Sequence, residues 1–528
     1  MSLQSLYKSI YHRIVGDLPA YINELRAEIF NDGKTFFLGS LLQRTARRYP
    51  DNIALICVDK KITYKDLYYR ALRLSELLIE RGIRPHDRVF LFFENSIEFY
   101  IGYYGIVQMG AVVVPLNTFL KEVELTHILN DAKPVLMITS ADKVDHFRSM
   151  PTVGELPILT ERDMRLDEAI PGQLPEFKVH ELDSDELIAL LYTSGTTGLP
   201  KGVMLSSRNC MTNAFQIVSC MQLHHTERIL GVLPLFHSFT QSTCVWAVLF
   251  MGCAVVLVPK IERRYILGAL QQHKPTFFLG IPALFGLLCL MKNAPLDSVK
   301  YFFSGGDALP DRIRCAFELV YRRKLCNGYG LTEASPVVAV DFEDEAGPTN
   351  TIGRPVLGVS CEIRDDHGNV LPQGQIGALW VKGDNVMLGY YNAPEQTAKV
   401  IKDGWLDTGD LAYIDAKGKI VIAGRLKDLI INKGFNIYPQ EIENVLMSHP
   451  AVIRAGVVGK AADMEGEVPV AFVQVSKEDP GLEKTLRGLC MQHLAMYKVP
   501  REFIITAHEL AVTATGKIDK KVLRKQLK

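Results

Sequence analysis

Residues 193–202, TSGTTGLPKG, follow the apolar run LIALLY and combine glycines with hydroxyl residues and a lysine. Glycines let consecutive backbone N–H groups converge on an anion, while the hydroxyl groups and Lys201 add hydrogen-bond donors and a positive charge. This chemistry suits a polyphosphate. The loop is not a Walker A loop, because Gly202 rather than Ser or Thr follows the lysine.

A second string, NGYGLTE at residues 327–333, offers a flat ring for stacking and a hard oxygen ligand of the kind that Mg²⁺ prefers. Taken singly, the first loop also fits a flexible surface turn, and NGYGLTE also fits an ordinary turn. Together and in this order, the strings resemble the signature of the adenylate-forming superfamily, which contains acyl-CoA synthetases, firefly luciferase and the adenylation domains of peptide synthetases. The resemblance spans approximately Phe37 to Leu527.

The resemblance implies an ATP and AMP site. It places Tyr329 against adenine, Thr332 at the α-phosphate, and Glu333 with Thr193 at Mg²⁺. The segment SGGDALP is expected to border the adenine, although Asp307 falls where the family varies. The residues predicted to bind ATP or AMP are Thr193, Ser194, Gly195, Thr196, Thr197, Gly198, Lys201, Gly305, Gly306, Asp307, Asn327, Gly328, Tyr329, Gly330, Thr332, Asp410 and Arg425.

Two charged motifs take their roles from the same resemblance. Asp410 in DGWLDTGD matches the carboxylate that accepts hydrogen bonds from both ribose hydroxyls, and Arg425 joins it at the ribose. Lys517 in TATGKID matches the catalytic lysine, whose charge would stabilise the transition state at the α-phosphate. Ala511 replaces the usual proline before this motif. The predicted catalytic residues are Lys517, Thr193 and Glu333.

The acyl and acceptor sites are also predicted from matching segments. In LPLFHSFTQ, His237 follows Phe236 where amino-acid-activating relatives carry an aspartate, so a free amino acid is disfavoured. Each buried CH₂ contributes about 0.8 kcal/mol, so an apolar tunnel would favour medium or long chains. The predicted acyl-binding residues are Phe236, His237, Phe239, Phe278, Gly280 and Phe303, and the predicted CoA-binding residues are Lys433, Gly434 and Phe435.

The implied activity is an ATP-dependent acid–thiol ligase that converts a fatty acid to acyl-CoA through acyl-AMP, with Mg²⁺ as cofactor and ATP and CoA as co-substrates. Two alternatives remain open. An acyl carrier protein can replace CoA as acceptor, or the chain can be an inactive scaffold that binds nucleotide or acyl ligand. The retention of Thr193, Glu333, Asp410, Arg425 and Lys517 argues against the scaffold. Monomer and homodimer are both compatible with the sequence.

Composition restricts the partners and the compartment. The 528 residues include 59 basic and 59 acidic side chains, so no nucleic-acid partner is predicted. The ten scattered cysteines contain no CxxC pair, and no signal peptide is recognised, which favours a cytoplasmic protein. The apolar stretch 244–258 is shorter than the roughly 20 residues that span a bilayer, so it predicts a buried helix followed by a strand. An apolar stripe between Leu3 and Ile14 predicts a helix that packs on its own domain or contacts the inner membrane face.

The elements that must position these groups follow from the hydrophobic pattern. Between Ala54 and Val258, strand-like runs alternate with helical segments, which predicts an α/β fold with parallel or mixed sheets. Short strands from Thr351 onward predict a small β-barrel-like region, and a new pattern begins after Gly424. With this boundary, the resemblance implies an adenylation domain at 1–424, including a helical extension at 1–33, a hinge at 425–427 with Lys427, and a mobile α+β domain at 428–528.

Overall fold

The computed structural model describes residues 20–29, 37–164, 168–178, 183–194, 199–291, 293–342, 350–432, 435–462, 466–477, 479–512 and 517–527. Several predicted features lie outside these residues: the apolar stripe near the N-terminus, Gly195, Thr196, Thr197, Gly198, Lys433 and Gly434. The described chain is a mixed α/β structure, as the sequence predicts.

The strands are β1 (Ile53–Cys57), β2 (Lys60–Thr63), β3 (Arg88–Phe92), β4 (Val112–Pro115), β5 (Leu136–Thr139), β6 (Ile158–Thr160), β7 (Leu187–Ser194), β8 (Pro200–Ser206), β9 (Arg228–Gly231), β10 (Ala254–Leu257), β11 (Phe277–Gly280), β12 (Tyr301–Ser304), β13 (Leu325–Gly330), β14 (Val337–Asp341), β15 (Thr351–Pro355), β16 (Ser360–Arg364), β17 (Gly377–Lys382), β18 (Gly389–Tyr390), β19 (Ile401–Lys402), β20 (Trp405–Ile414), β21 (Ile420–Arg425), β22 (Ile430–Asn432), β23 (Phe435–Ile437), β24 (Val452–Ala462), β25 (Gly466–Val475) and β26 (Glu502–Thr506).

The α-helices are α1 (Ala20–Ile29), α2 (Leu41–Arg48), α3 (Tyr64–Glu80), α4 (Ile97–Gln108), α5 (Glu122–Ala132), α6 (Val144–Arg148), α7 (Ser207–Met221), α8 (Ser238–Thr240), α9 (Val248–Met251), α10 (Arg263–His273), α11 (Pro282–Met291), α12 (Asp311–Tyr321), α13 (Pro394–Val400), α14 (Pro439–Met447), α15 (Leu482–His493) and α16 (Lys520–Gln526). A π-helix, Gln241–Ala247, joins α8 to α9. Short 3-10 helices span Leu38–Ser40, Ala141–Lys143, Thr332–Ala334, Leu426–Asp428 and Met496–Lys498.

Two large sheets carry most of the chain. The first has seven strands in the order β18-β8-β7-β4-β3-β5-β6. The second follows the order β16-β17-β20-β21-β15-β14-β13-β12-β11-β9-β10-β1-β2, with β19 beside β20. In the second sheet, the strands from β1 through β10, β9, β11 and β12 to β13 are parallel, and the antiparallel strands from β14 onward extend it.

The strands after Thr351 are the predicted all-β region. Among the described residues they form an open antiparallel continuation of the second sheet and not a closed barrel, because β15 pairs with β14 and β21. Strand β15 therefore connects the region that carries Asp410 to the parallel strands, because it pairs with β14 on one side and with β21 on the other. The sheet places β20 and β13, which are distant in sequence, at the same site.

Apolar residues on both faces of the parallel strands explain why helices cover both sides. In β12, Phe303 faces the core between the two sheets, while Phe302 faces an outer core against α10, α11 and α12. In β3, Val89 faces the same central core, whereas Phe90 faces another outer core that includes α5 and α6. The stretch 244–258 runs through the π-helix and α9 into the buried strand β10, as predicted.

The chain after Arg425 forms a third sheet with the order β23-β22-β25-β24 and β26 paired to β25. It has separate apolar cores, one against α14 and α15 and one against α16. Arg312 in α12 donates through Nη1 to the Val452 carbonyl at 2.8 Å, so this third sheet region contacts the second sheet region. The domain limits at 424 and 428 and the hinge remain predictions.

Candidate active site

The phosphate loop is predicted to lie where β7 turns into β8. These two strands pair in antiparallel register, with Thr193 opposite Lys201. The apolar run that precedes the loop is buried at Leu190 and Leu191, which fixes the strand beneath it. The phenol of Tyr192 donates to Oδ2 of Asp131 at 2.6 Å and ties the end of β7 to helix α5. The pair of strands therefore places Thr193 and Lys201 opposite each other at the end from which the loop departs.

The 3-10 turn Thr332–Ala334 is held in place from several directions. The Thr332 hydroxyl is 3.0 Å from the Ser238 hydroxyl at the start of α8. The Asn385 amide donates to the Ala334 carbonyl at 2.8 Å, and the Met387 N–H donates to the Glu333 carbonyl at 2.9 Å. Because these contacts come from two separate segments, one at Ser238 and one at Asn385–Met387, the turn has a fixed position beside strand β8.

The Glu333 side chain meets a tyrosine that links it to the phosphate loop. The phenol of Tyr390 donates to Oε1 of Glu333 at 2.9 Å. On the same ring, Nζ of Lys201 lies 5.0 Å from the centroid, within the range of a cation–π contact. Burial and then the charge of Glu333 raise the pKa of Tyr390, so the phenol stays protonated and donates.

Asp410 and Arg425 face each other across strands β20 and β21. Nε of Arg425 lies 2.7 Å from Oδ1 of Asp410, whose side chain is 4% exposed. The phenol of Tyr329 donates to the other carboxylate oxygen, Oδ2, at 2.5 Å. Burial and then the Asp410 carboxylate raise the pKa of Tyr329 well above its ordinary value. Asp410 also raises the pKa of Arg425, so the three groups form one charged and hydrogen-bonded set.

The glycine-rich segment 304–306 lies next to this set. The Gly305 N–H donates to the Gly280 carbonyl at 3.0 Å, and a side chain at Gly305 would come within 3.2 Å of the Phe239 ring. Gly306 has a φ of +79°, which favours glycine. The exposed Asp307 accepts from the Ala308 N–H at 2.9 Å. Beneath the segment, the Asn327 amide donates to the Thr351 carbonyl at 2.8 Å, which fixes the first residue of NGYGLTE.

His237 caps helix α8 and is neutral. Its Nδ1 accepts from the Phe239 N–H at 3.2 Å, which leaves the ring proton on Nε2. Burial, followed by the positive charge of Lys517, lowers the pKa of His237 to about 4. The side chain at this position therefore carries no charge near neutral pH and offers no anion to a substrate.

Lys517 lies within electrostatic reach of the other predicted nucleotide residues. Burial lowers its pKa, while the carboxylates of Asp307 and Asp410 raise it and Arg425 lowers it. The structure therefore brings Lys517 to the same site as Asp410, Arg425 and His237, although 107 residues separate Lys517 from Asp410 in the chain.

The predicted acyl residues divide between two sides of the second sheet. Phe239 is half-buried and packs against both the central and the outer core. Phe303 faces the central core, whereas Phe278 is fully buried in the outer core, with its ring 5.5 Å from that of Phe285. Phe278 and Phe303 therefore do not line one common surface. Gly280 ends β11, and Phe236 packs at 6.2 Å from Phe119, measured between ring centroids.

The described part of the predicted CoA segment is exposed. Phe435 is 57% exposed, and its ring centroid lies 5.0 Å from that of Tyr497. Lys427 lies in the 3-10 helix Leu426–Asp428, where Asp428 pairs with Arg524 at 2.7 Å. The predicted hinge is thus followed at once by an ion pair with the last helix, α16.

Glu333 and Thr193 are the described residues of this site whose oxygen atoms suit a metal ion. Within the described ranges, no group of three or more His, Cys, Asp or Glu side chains converges on one point. Mg²⁺ usually binds through one or two carboxylates and the phosphates of a nucleotide, so Glu333 and the Thr193 hydroxyl are a suitable donor set. The helices in the described part of the chain include none long and apolar enough to cross a membrane.

Sequence reasoning missed three residues of this site: Ser238, Asn385 and Tyr390. Ser238 follows His237 directly, so its position in LPLFHSFTQ is a signal that could have been used. Asn385 and Tyr390 lie in GDNVMLGYYN, a string of turn residues and tyrosines that has no recognisable chemistry by itself. The pairing of β18 with β8 and the contact between Lys201 and the Tyr390 ring show that Tyr390 reaches the strand that carries Lys201.

Known proteins resemble this chain over most of its length. A long-chain-fatty-acid–CoA ligase of Bacillus subtilis is 33% identical over 95% of this chain and 96% of its own length. The 4-coumarate–CoA ligase 2 of Nicotiana tabacum is 32% identical over 88% of this chain and 89% of its own length. The solved structure of O-succinylbenzoate coenzyme A synthetase from Bacillus subtilis, in complex with ATP and magnesium ion, gives a TM-score of 0.83 at 29% identity and covers 92% of this chain and 99% of that chain.

Two family models match this chain, one over its larger N-terminal part and one over its C-terminal part. The model of the AMP-binding enzyme matches residues 42–391, which include the phosphate loop and NGYGLTE. The model of the AMP-binding enzyme C-terminal domain matches residues 441–517 and ends at Lys517. The chain therefore belongs to the family of AMP-binding enzymes, in the adenylate-forming superfamily that includes the acyl-CoA ligases.

Proposed function

We propose that the protein converts a medium- or long-chain fatty acid to its acyl-CoA through an acyl-AMP intermediate and releases AMP and pyrophosphate. The observation that carries this proposal is the neutral His237 between Phe236 and Phe239. With a pKa of about 4 its imidazole is uncharged near neutral pH, and an imidazole supplies no carboxylate for a substrate ammonium, while both phenylalanines offer apolar surface. An acid with an apolar body suits such a surface, because each buried CH₂ adds about 0.8 kcal/mol.

The relatives support the type of reaction more strongly than the acid. Identity to the fatty-acid ligase, 33%, and to the coumarate ligase, 32%, differs too little to choose between an aliphatic and an aromatic acid. The proposal of a fatty acid therefore rests on the side chains around His237. Phe278, which lies in the outer core, contributes to that surface less directly than Phe239.

In the first half-reaction, an oxygen of the substrate carboxylate attacks the α-phosphorus of ATP, and the bond from this phosphorus to the bridging oxygen breaks to release pyrophosphate. Lys517 is the proposed catalytic cation, because it lies where Asp410 and Arg425 would hold the ribose. A buried positive charge stabilises the charge that develops at the α-phosphate. The Thr332 hydroxyl, fixed by Ser238, is the proposed α-phosphate donor.

Glu333 and Thr193 are the residues proposed to hold Mg²⁺. Their oxygen atoms are hard ligands, and the fixed turn at Thr332–Ala334 keeps Glu333 beside strand β8. When bound, Mg²⁺ would neutralise charge on the phosphates. Lys201 is proposed to contact the same phosphates, since its strand partner is Thr193.

In the second half-reaction, the CoA thiolate attacks the acyl carbon, and the bond to the AMP oxygen breaks. The proposed domains are 1–424 and 428–528, with the hinge at 425–427. Lys433, Gly434 and Phe435 are proposed to approach the acyl-adenylate after rotation about Lys427. The exposed ring of Phe435 is compatible with a surface that is used only in this second step.

The test is pyrophosphate release with ATP, Mg²⁺ and carboxylic acids from acetate to oleate, with coumarate included, followed by mass spectrometry of the products. Acyl-CoA formed from medium or long aliphatic acids is the expected result. Release of pyrophosphate with acyl transfer to a carrier protein and not to CoA would change the acceptor. No release with any acid would overturn the enzymatic proposal and favour a scaffold.

A further inference from the structure

We infer that Tyr390 is a positioning residue that orients Glu333 for metal binding and joins it to Lys201 of the phosphate loop. This inference rests on the proposed function, because it takes Glu333 as the metal ligand. It adds a residue that the motifs do not contain. Its consequence is that the nucleotide and its metal should bind as a coupled unit, and that this coupling should depend on one phenolic oxygen.

The backbone around Tyr390 connects strand β8, which carries Lys201, to the turn that carries Glu333. On one side, Gly389 and Tyr390 pair with Met204 and Val203 of β8, the strand that carries Lys201. The Leu388 N–H donates to Met204, which extends the pairing. At the other end, the Met387 N–H donates to the Glu333 carbonyl at 2.9 Å. A segment of four residues therefore connects the phosphate strand to the metal turn.

The direction of the Tyr390 side chain is fixed by its own neighbours. Its N–H donates to the Thr397 hydroxyl at 2.8 Å, and that hydroxyl donates to the Ala393 carbonyl at 3.0 Å. The preceding Gly389 has a φ of +141°, and a side chain there would come within 2.7 Å of Thr397. The phenol is therefore directed at Glu333 by packing and hydrogen bonds that do not need a ligand.

The Tyr390 side chain contacts Glu333 through its hydroxyl group and Lys201 through the face of its ring. The hydroxyl donates to Oε1 of Glu333, and among the described residues no donor occupies Oε2, which is left for a cation. The face of the ring lies 5.0 Å from Nζ of Lys201. Residues that orient metal ligands in this way typically change metal affinity by about 10- to 100-fold when they are replaced.

Separate substitutions can remove these two contacts in turn. Tyr390→Phe removes the hydroxyl and keeps the ring against Lys201, whereas Tyr390→Leu removes both. Tyr391→Phe is the matched control, because the Tyr391 side chain packs against the outer core that contains Phe90 and Leu190, whereas the phenol that donates to Glu333 is that of Tyr390. Glu333→Gln is the reference for loss of the metal ligand itself.

The measurement is calorimetric titration with α,β-methylene-ATP, once with Mg²⁺ and once with a chelator, so that no turnover is needed. The ratio of the two dissociation constants reports the coupling between metal and nucleotide. Tyr390→Phe is expected to reduce this ratio roughly tenfold and to leave the metal-free constant unchanged. Tyr390→Leu is expected to weaken metal-free binding as well, because Lys201 loses its ring contact.

A Tyr390→Phe ratio equal to that of Tyr391→Phe, with a reduced ratio in Glu333→Gln, would overturn the role of Tyr390 and leave the proposed function standing. An unchanged ratio in Glu333→Gln would instead remove Glu333 as the metal ligand, and with it both the inference and that part of the proposed mechanism. The two failures are therefore distinguishable in one set of titrations.

Discussion

Tyr329 and Asp410 lie 81 residues apart in the chain, yet the phenol of Tyr329 donates to Oδ2 of Asp410 at 2.5 Å. The other oxygen of the carboxylate already pairs with Arg425. Each carboxylate oxygen can accept more than one hydrogen bond, so a ribose can bind without displacing either partner. The contact joins the aromatic residue proposed at adenine to the acid proposed at the ribose.

Replacement of Asp410 by Asn should weaken nucleotide binding. An amide has a single acceptor oxygen, so it cannot serve both Tyr329 and Arg425 and also accept from the ribose. A hydrogen bond to a charged group contributes about 1.5–3 kcal/mol, so its loss should raise the dissociation constant roughly 10- to 100-fold. Calorimetry with α,β-methylene-ATP would measure this change. The exposed Asp403→Asn provides the control, and equal affinities of the two variants would contradict the ribose assignment.

Lys517→Ala should separate the two half-reactions. The rate of adenylation is expected to fall roughly 10²- to 10³-fold, because the buried cation at the α-phosphate is lost. The assay for this step is the exchange of labelled pyrophosphate into ATP in the presence of the acid. Transfer to CoA from synthetic acyl-adenylate should change little. Burial lowers the pKa of Lys517, so its amine loses the positive charge at a lower pH than an ordinary lysine does. As the pH rises, the adenylation rate of the wild type should therefore begin to fall before the pH reaches the ordinary lysine pKa. Lys525→Ala in helix α16 is the control, and an equal loss in both half-reactions would refute this division.

The sequence allowed the main architecture to be predicted because local patterns determine it. The alternation of strands with helices predicted covered sheets, and the motif strings fixed which strand ends carry chemistry. The site itself was harder, since its contacts join residues that are distant in sequence. The Thr332–Ser238 contact spans 94 residues, and nothing in either motif reports it.

The acyl residues show a second limit of sequence reasoning. Neighbouring strand residues point to opposite faces, so a run such as FFLG in β11 cannot show which phenylalanine faces a pocket. The structure places Phe278 in the outer core and Phe303 in the central core. The register of each strand in its sheet decides this division, and register depends on partners far along the chain.

His237→Asn should change how stability depends on pH. The pKa of His237 is about 4 in the folded chain, against roughly 6.5 for an unfolded histidine, so between these values only the unfolded state takes up the proton. The wild type should therefore lose stability as the pH falls through this window. In the variant, unfolding no longer takes up the proton of His237. The slope of the unfolding free energy against pH should therefore fall by up to about 1.4 kcal/mol per pH unit.

Denaturant unfolding at a series of pH values from 4 to 7 would measure this slope. Asn can still cap helix α8, because its side-chain oxygen can accept from the Phe239 N–H. His449→Asn is the matched control, since Nδ1 of His449 accepts from the Ala451 N–H in the same way. An unchanged slope in His237→Asn would mean that His237 takes up its proton in the folded state as readily as in the unfolded state.

Arg312→Ala should alter the balance between the two half-reactions. Arg312 in α12 donates to the carbonyls of Val452, at 2.8 Å, and His449, at 3.5 Å, and so fastens the third sheet region in the arrangement that places Lys517 at the site. Rotation about the proposed hinge would break both bonds. Adenylation should therefore slow in the variant, while transfer from synthetic acyl-adenylate to CoA should stay constant or become faster. Arg322→Ala, which removes an exposed arginine at the end of α12, controls for the loss of charge, and equal slowing of both half-reactions in Arg312→Ala would show that the contact supports only the fold.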